Sequence, residues 1–569
     1  MTVTKPTWKA AAEAKRQAVL DLIPEKWRIK EPIPSPLELR DVTAGYIQQF
    51  LNARELEITE TDAAGIVERT TSGQWTAVEV TEAFCHRAAL AHQLVNCLHE
   101  IFFDAAIEDA KKLDAYFSEH KKAVGPLHGL PVSLKDQFHV NGVETTMGYV
   151  GWIGTFQGKK DDSRRGAFES ELVRELRACG AVLYCKTSVP TTLMAGETAN
   201  HIIEYTWNPK NRFLSCGGSS GGEGALIALK GSPGGFGTDI GGSVRIPAAY
   251  NGLYGLRPSS GRVPYEGAAN SMDGQSTILS VIGPLAATAP DLKLLFKAVL
   301  SQQPWYHDPL AVELPWRDDV EKETLALIKE SATNPERLAF AIMRNDGTVR
   351  PHPPVARGIE IIVQTLTRLG HKVIDWNPPS HTEAYDIASR TYSMDGGADV
   401  TEHFALSGEE PVEQIILETG LPQKTASEIA ALNIAKREWQ KKYMDYWNST
   451  AKLTGTGRPV DGVFVPPAPH AAVIPQKSAP VGYTSFLNVL DYSTVVIPVT
   501  RADKAVDVPY TGDAFFGETD KKVQAEYDAE IYDGAPVSVQ LFGRRFQEEK
   551  MLTLAEYIGA EVAKQSNTK

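Results

Sequence analysis

No run of apolar residues in this sequence approaches the twenty or so that a helix needs to cross a bilayer, so a membrane-spanning protein is set aside. Cysteine is scarce. The five present, Cys85, Cys97, Cys179, Cys185 and Cys216, are too irregularly spaced for a disulfide framework and form no CxxC pair of the kind that holds zinc, which points to a reducing compartment. Positive charge is also short: 58 Lys and Arg stand against 71 Asp and Glu, a net charge of −13, and no basic cluster traces a path for a phosphate backbone. Nucleic acid is therefore a poor partner. The N-terminal "MTVTKPTWKAAAEAKRQAVLDLIP" lacks the apolar stretch of a secretory signal, and the C-terminal "SNTK" matches no retention or peroxisomal address. The expected location is cytoplasmic, with no membrane partner.

What is there suits an ordinary globular protein, since 42% hydrophobic residues in 569 supply a core of ample size. Residues 1–60 read as an N-terminal helical extension, with Trp8, Ala12, Val19, Leu22 and Ile23 on a rough helical spacing that Pro24 ends, packed on the body formed by residues 61–569. Thr76 and Glu79 form a capping box opening a helix whose Val80, Phe84 and Ala88 face inward. Beyond it, helix and strand patterns alternate. "SELVRELRACG" predicts a helix closed by Gly180, and "AVLYCK" a buried strand; "RLAFAI", "ARGIEIIVQTLTRLGHK" and "VIDW" repeat the pattern as strand, helix and strand. The fold class is thus α/β, a mixed or parallel sheet covered by helices. Residues 304–334 and the helical-looking 380–460 read as insertions. No fixed-period repeat or low-complexity linker divides the chain.

The stretch "SCGGSSGGEGAL", Ser215 to Leu226, admits three readings. A phosphate cradle would need a GxxxxGK[ST] pattern that the chain lacks, and Gly222-Glu223-Gly224 meets the dinucleotide fingerprint only loosely. A nucleophile elbow, GxSxG with Ser219 at its tip, would need an apolar strand before it, whereas "WNPKNRFLSC" is polar and carries Pro209. A plain glycine loop is the default for an isolated stretch. A second stretch lifts it above that default: in "GGFGTDIGGSVRIPAAYNGLYGLRP", Gly234 to Pro258, glycines precede Ser243 at the start of a possible helix. The N–H groups of Ile240, Gly241, Gly242 and Ser243 would converge there as an oxyanion hole. Ser243 still needs a base. A distant histidine is one candidate; the other is Lys135, at the end of a short strand in "GPLHGLPVSLKDQF", where desolvation would lower its pKa from about 10.4 and let the neutral amine take a proton.

These stretches resemble the amidase signature family: "CGGSSGGEGALI" with "GTDIGGSVRIPAAYNGLYGLRPS" is similar to its glycine- and serine-rich signature, and "GLPVSLKD" to its lysine segment. The two serines stand 24 residues apart, as the resemblance requires. It runs from near residue 60 to "APVSVQLFGRRFQEEKMLTLAEYI", and within the family it is strongest to fungal acetamidases and general amidases. The resemblance implies a single large α/β domain around a mixed sheet, no metal or organic cofactor, and a Ser-cisSer-Lys triad. In it Ser243 is the nucleophile, Ser219 the bridging serine after a cis peptide from Gly218, and Lys135 the base. Supporting roles fall to Ser220, hydrogen-bonded to the lysine or its neighbours, to Asp239 with Arg245 as a buried pair fixing the oxyanion loop, and to Thr238. Leu193, Met194 and Gly196 in "TSVPTTLMAGE" are candidates for the substrate pocket. Met147 and Tyr149 in "TTMGYVGW", together with Trp207, are bulky residues that argue for a compact acyl group.

The expected function is hydrolysis of small carboxylic acid amides to the acid and ammonia, with a small-molecule amide as partner and self-association as a homodimer the one further contact the reading allows. An indoleacetamide, aryl or fatty amide hydrolase is the alternative; a tRNA-dependent amidotransferase subunit would need partner subunits and an RNA-facing surface. A catalytically dead binding protein is disfavoured because Lys135, Ser219 and Ser243 are all present.

Overall fold

The alternating patterns resolve into one eleven-stranded mixed sheet flanked by helices, seen in a computed structural model that describes residues 7–334 and 337–566. The first six residues of the N-terminal stretch and the last three of "SNTK" lie outside the described residues. The strands are β1 (Leu98–Ile101), β2 (Pro131–Lys135), β3 (Val182–Thr187), β4 (Ala199–Asn200), β5 (Glu204–Tyr205), β6 (Gly234–Asp239), β7 (Tyr254–Arg257), β8 (Val281–Ala286), β9 (Ala339–Ile342), β10 (Lys372–Asp375), β11 (Gly462–Val465), β12 (Thr494–Arg501) and β13 (Pro536–Phe542). Their order in the sheet is β1-β3-β2-β6-β8-β7-β12-β13-β11-β9-β10, with β4 and β5 a separate ribbon. Strand β2 runs parallel to both β3 and β6, and β9 parallel to β10 and β11, while the middle of the sheet is antiparallel. Strands β2, β3, β6, β8 and β13 are buried along their whole length, as strands covered on both faces must be.

Local signals decide several helices. The Thr76–Glu79 capping box opens the helix Ala77–Val95, and Val80, Phe84 and Ala88 are fully buried on its inner face. The helix Glu171–Ala178 leads to Gly180 in a left-handed turn (φ +82°) before β3, and the helix Pro353–Arg368 makes the crossover between parallel β9 and β10. All five cysteines are free and buried. No helix among the described residues is long and apolar enough to cross a membrane.

The N-terminal extension differs from a continuous helical prefix. Its helix spans Trp8–Asp21, followed by single turns at Glu25–Trp27 and Ile47–Phe50 and a helix at Ala53–Glu60. Prolines 24, 32, 34 and 36 deny the backbone between them the N–H groups and the α conformation that a helix needs. Ala12, Val19 and Ile23 are buried as their spacing predicts, whereas Leu22 is 54% exposed. The first helix sits on the body through Lys15, whose ammonium reaches Glu100 at 2.7 Å and Glu144 at 2.8 Å. Residues 304–334 fold against the body through the helix Asp318–Ser331, where Glu321 pairs with Lys293. Residues 380–460 contain the helices His381–Tyr392, Ala398–Ala405 and Ala426–Ser449.

The topology sets one end of the sheet apart. Because β2 and β6 are adjacent and parallel, with Ser133 opposite Gly235 and Leu134 opposite Phe236, their C-terminal ends carry Lys135 and Asp239 out on the same side. Crevices at the C-terminal ends of parallel strands are where α/β sheets place ligands. The helix Gly221–Ala228 lies directly over this end, and its glycines permit the approach: a Cβ on Gly222 would stand 2.3 Å from the Ser188 nitrogen.

Candidate active site

Lys135 ends β2 with no exposed surface. Burial lowers its pKa to about 7, although Asp239 and Glu223 pull it upward. Its Nζ lies 2.8 Å from Ser219 Oγ and 2.7 Å from Thr238 Oγ1. The Thr238 hydroxyl donates to Gln137 Oε1 at 2.7 Å, so the threonine oxygen can only accept from the amine. One N–H of Lys135 is thereby committed to Thr238. A neutral amine keeps its lone pair for Ser219. Beneath it Glu223 accepts from Ser133 Oγ at 2.6 Å and Thr187 Oγ1 at 2.9 Å, and burial raises its pKa to about 7.

Ser219 follows a cis peptide from Gly218 and is 2% exposed. The next residue, Ser220, does not touch the lysine; its hydroxyl accepts from Thr238 N at 3.3 Å and faces Thr238 O at 3.4 Å, tying the loop to β6. Ser220 N donates to Ser243 O at 3.1 Å, which joins the two glycine-rich segments directly. Ser243 is half-buried, its hydroxyl makes no hydrogen bond among the described residues, and it lines the same cavity as Ser219 and Thr238.

The loop from Ile240 to Ser243 is folded around a carboxylate. Asp239 accepts from Gly242 N at 2.9 Å, Val244 N at 3.1 Å and Asn488 Nδ2 at 2.8 Å, and grips Arg245 through Nε at 3.0 Å and Nη2 at 2.9 Å. Burial would push this carboxyl up, but the Arg245 and Arg257 charges and these hydrogen bonds hold it well below the usual carboxylate range. Arg245 is itself fully buried and reaches Asn488 Oδ1 at 2.7 Å, Thr484 O at 3.1 Å and Gln540 Oε1 at 3.2 Å.

This corrects the expected set of converging amides. The Gly242 N–H points inward to Asp239, because Thr484 Oγ1 donates to the Gly241 carbonyl at 2.5 Å and a trans peptide aims its N–H opposite to its C=O. By the same geometry Tyr392, whose hydroxyl donates to Ile240 O at 2.6 Å, turns the Gly241 N–H the other way. Ile240, Gly241 and Ser243 keep N–H groups with no partner among the described residues. Gly242 (φ +134°) is required to be glycine by conformation and by space, since a Cβ there would meet Thr484 Oγ1 at 2.5 Å. Replacing Asp239 by asparagine is expected to cost about 3–5 kcal/mol, because Arg245 would be left as a buried charge without its counterion. Urea unfolding checks this; an unchanged midpoint would mean that the pair does not hold the loop.

The cavity at Ser243 is narrow, with an accessible volume of about 30 Å³. Leu193 and Met194 line it, and Gly196 lines a second recess that it shares with Gly218, Gly241 and Ser243. Met147 and Tyr149 do not line it. Both are fully buried behind its wall, where the Tyr149 ring packs among Trp152, His403 and Phe404, 5.3–5.4 Å away between ring centres. Trp207 is further removed, bridging Ser215 and packing on Tyr205. Sequence reading had no way to find Tyr392, Thr484, Asn488 or Asp399 as site residues, whereas Gln137 stands two residues after Lys135 within the lysine segment. No motif or spacing relates the other four to Ser243; the helices His381–Tyr392 and Ala398–Ala405 bring in Tyr392 and Asp399, and the helix Gly482–Leu490 brings in Thr484 and Asn488.

Comparison with known proteins places the chain. The profile described as Amidase matches residues 79–552. An acetamidase from Aspergillus oryzae is 46% identical over 555 residues, covering 97% of this chain and 98% of that one. An acetamidase from Emericella nidulans is 43% identical over the same length and the same shares. A solved structure of a fatty acid amide hydrolase superposes with a TM-score of 0.87 at 32% identity, covering 97% of this chain and 94% of that one.

Proposed function

The chain belongs to the amidase signature family and is a hydrolase acting on amides; from that premise we propose that it cleaves small carboxylic acid amides to the acid and ammonia, with Ser243 as nucleophile, Ser219 as proton bridge and Lys135 as base. The observation that carries this is the buried Lys135–Ser219 contact at 2.8 Å opening onto the cavity that holds Ser243. No histidine takes part in it.

In this reading neutral Lys135 accepts the Ser219 proton, Ser219 accepts that of Ser243, and the Ser243 oxygen attacks the amide carbonyl. The oxyanion rests on the N–H groups of Ile240, Gly241 and Ser243, each worth about 3 kcal/mol, while Gly242 serves by bracing the loop on Asp239. The proton then returns through Ser219 to the nitrogen, because an amide anion is too poor a leaving group to depart unprotonated. A water molecule repeats the cycle on the acyl-enzyme. The Ser219–Ser243 hydrogen bond is the one link not made in this structure, and catalytic hydrogen bonds of this kind commonly tighten only around substrate. The reaction calls on no cofactor. Cytoplasmic action fits five free, buried cysteines.

A compact acyl group is supported by the acetamidase relatives and by Met194 and Tyr392, which crowd the cavity close to Ser243. Activity is expected to fall along linear amides, each methylene that the cavity cannot admit costing about 1–3 kcal/mol. The measurement is kcat/KM from acetamide through hexanamide to oleamide, with indole-3-acetamide alongside. A rise toward oleamide would replace the small-amide reading by a lipid amidase, and a sharp preference for indole-3-acetamide by an aryl-amide enzyme.

A further inference from the structure

The cavity at Ser243 is chemically uneven. Leu193, Met194 and Val400 give it apolar surface, but Asn270, Ser271 and Gln275 line it too, and so do two carboxylates, Asp395 and Asp399. No lysine, arginine or histidine is among its lining residues.

The carboxylates are positioned by backbone N–H groups. Asp395 accepts from the backbone N–H groups of Gly397 at 2.9 Å and Asp399 at 3.0 Å, and Asp399 accepts from Met272 N at 3.0 Å. Each oxygen used in this way has a second acceptor site left. His403 Nε2 lies 3.7 Å from Asp399 Oδ1. Its Nδ1 accepts from the Trp152 indole N–H at 3.0 Å, which leaves Nε2 to face Asp399 as a donor. Burial raises the Asp399 pKa, the Met272 N–H and His403 oppose the rise, and Asp395 and Glu402 add to it. Behind this part of the wall the Tyr149 hydroxyl is fully buried beside Ser271 and Asp399. A cation entering here would meet two carboxylates with unused acceptor capacity and no lysine or arginine among the lining residues.

We propose that the cavity selects amides whose acyl group ends in a protonated amine, the ω-amino amides, with Asp399 as the specificity-determining residue and Asp395 beside it. The inference rests on the small-amide reading above: with ammonia as the leaving group, the acyl group is the only part of the substrate that can extend from Ser243 along the cavity. It also gives the expected fall along linear alkyl amides a second cause, since a methyl terminus would desolvate the carboxylates and return nothing.

The test compares 4-aminobutanamide with its near-isostere pentanamide at pH 7. The wild-type chain is expected to favour the ammonium substrate by about tenfold or more in kcat/KM, and Asp399→Asn to reduce that ratio by about tenfold. Reading the ratio cancels any general loss of activity in the variant. Should the variant fail to fold, inhibition of the wild-type enzyme decides: n-butylammonium is expected to inhibit acetamide hydrolysis at concentrations about tenfold below those of 1-butanol. Turnover of acetamide and pentanamide with no preference for the ammonium substrate, or equal inhibition by the two additives, overturns this inference alone. Absence of turnover on every amide, with no covalent labelling of Ser243, overturns the amidase reading and this inference together.

Discussion

Replacing Ser243 by alanine is expected to reduce kcat on acetamide by about 10⁴- to 10⁶-fold, the range seen when a nucleophile that works as part of a unit is removed, while leaving the unfolding midpoint nearly unchanged. The two halves of this expectation have separate causes. Activity is expected to collapse because the acyl-enzyme cannot form, and neither hydroxyl bound to Lys135 can replace it: Ser219 is held by the amine, and Thr238 is committed to Gln137. Stability survives because the Ser243 hydroxyl makes no hydrogen bond among the described residues, so its loss leaves no partner there unsatisfied. A fluorophosphonate should add one label per wild-type chain, on the peptide that contains Ser243, and none to the variant. A label on Ser219 would exchange the roles of the two serines and restore the elbow reading of Gly217-Gly218-Ser219-Ser220-Gly221.

The parts of this molecule that were legible in the sequence are those whose determinants lie close together along the chain. The capping box at Thr76 and Glu79, the strand at Val182–Thr187 and the glycine after Ala178 are decided within a few residues. The two glycine-rich segments were legible for a related reason. Their glycines meet close approaches by other segments, Ser188 at Gly222 and Thr484 at Gly242, and so composition alone marks them. Arg245 and Asp239 also stand only six residues apart. Their partners do not: Asn488 lies 249 residues beyond Asp239, and it arrives because β12 pairs with β7, which follows the helix Arg245–Asn251. Met147 and Tyr149 were misplaced for the converse reason. Closeness in sequence to Lys135 suggested the pocket, but the helix Ala398–Ala405 supplies His403 and Phe404 to receive Tyr149, and nothing near position 149 announces it. The Gly242 amide was misassigned because the sequence does not show which way a peptide plane is turned; the hydroxyls of Thr484 and Tyr392 decide that.

Lys135→Met is expected to reduce kcat by about 10²- to 10⁴-fold, the contribution of a positioned proton acceptor, and the pH dependence of the wild-type enzyme identifies that acceptor. With the Lys135 pKa lowered to about 7, the base is neutral above that pH, so kcat/KM on acetamide should rise with pH through about 7 and then level off. The variant should lose this limb. A histidine base would leave the limb in the variant and remove it in the corresponding histidine substitution. Stability gives an independent readout with a defined sign. The unfolded chain keeps its lysine protonated up to about 10.5, whereas the folded chain sheds that proton near 7, so between these values the unfolded state binds more protons and the folded state gains stability as pH rises. The stability that Lys135 permits is therefore full above about 10.5 and lost as pH falls to about 7, a penalty of order 3–5 kcal/mol at neutral pH and below. Methionine removes this penalty and forfeits the contacts with Ser219 and Thr238, worth about 1–3 kcal/mol together. The inactive variant should thus melt no lower than wild type at pH 6.5, with its relative stability declining steadily toward pH 9. A variant that is less stable at pH 6.5 by an amount that stays constant to pH 9 would show that Lys135 is charged in the folded protein, and the base would have to be sought elsewhere.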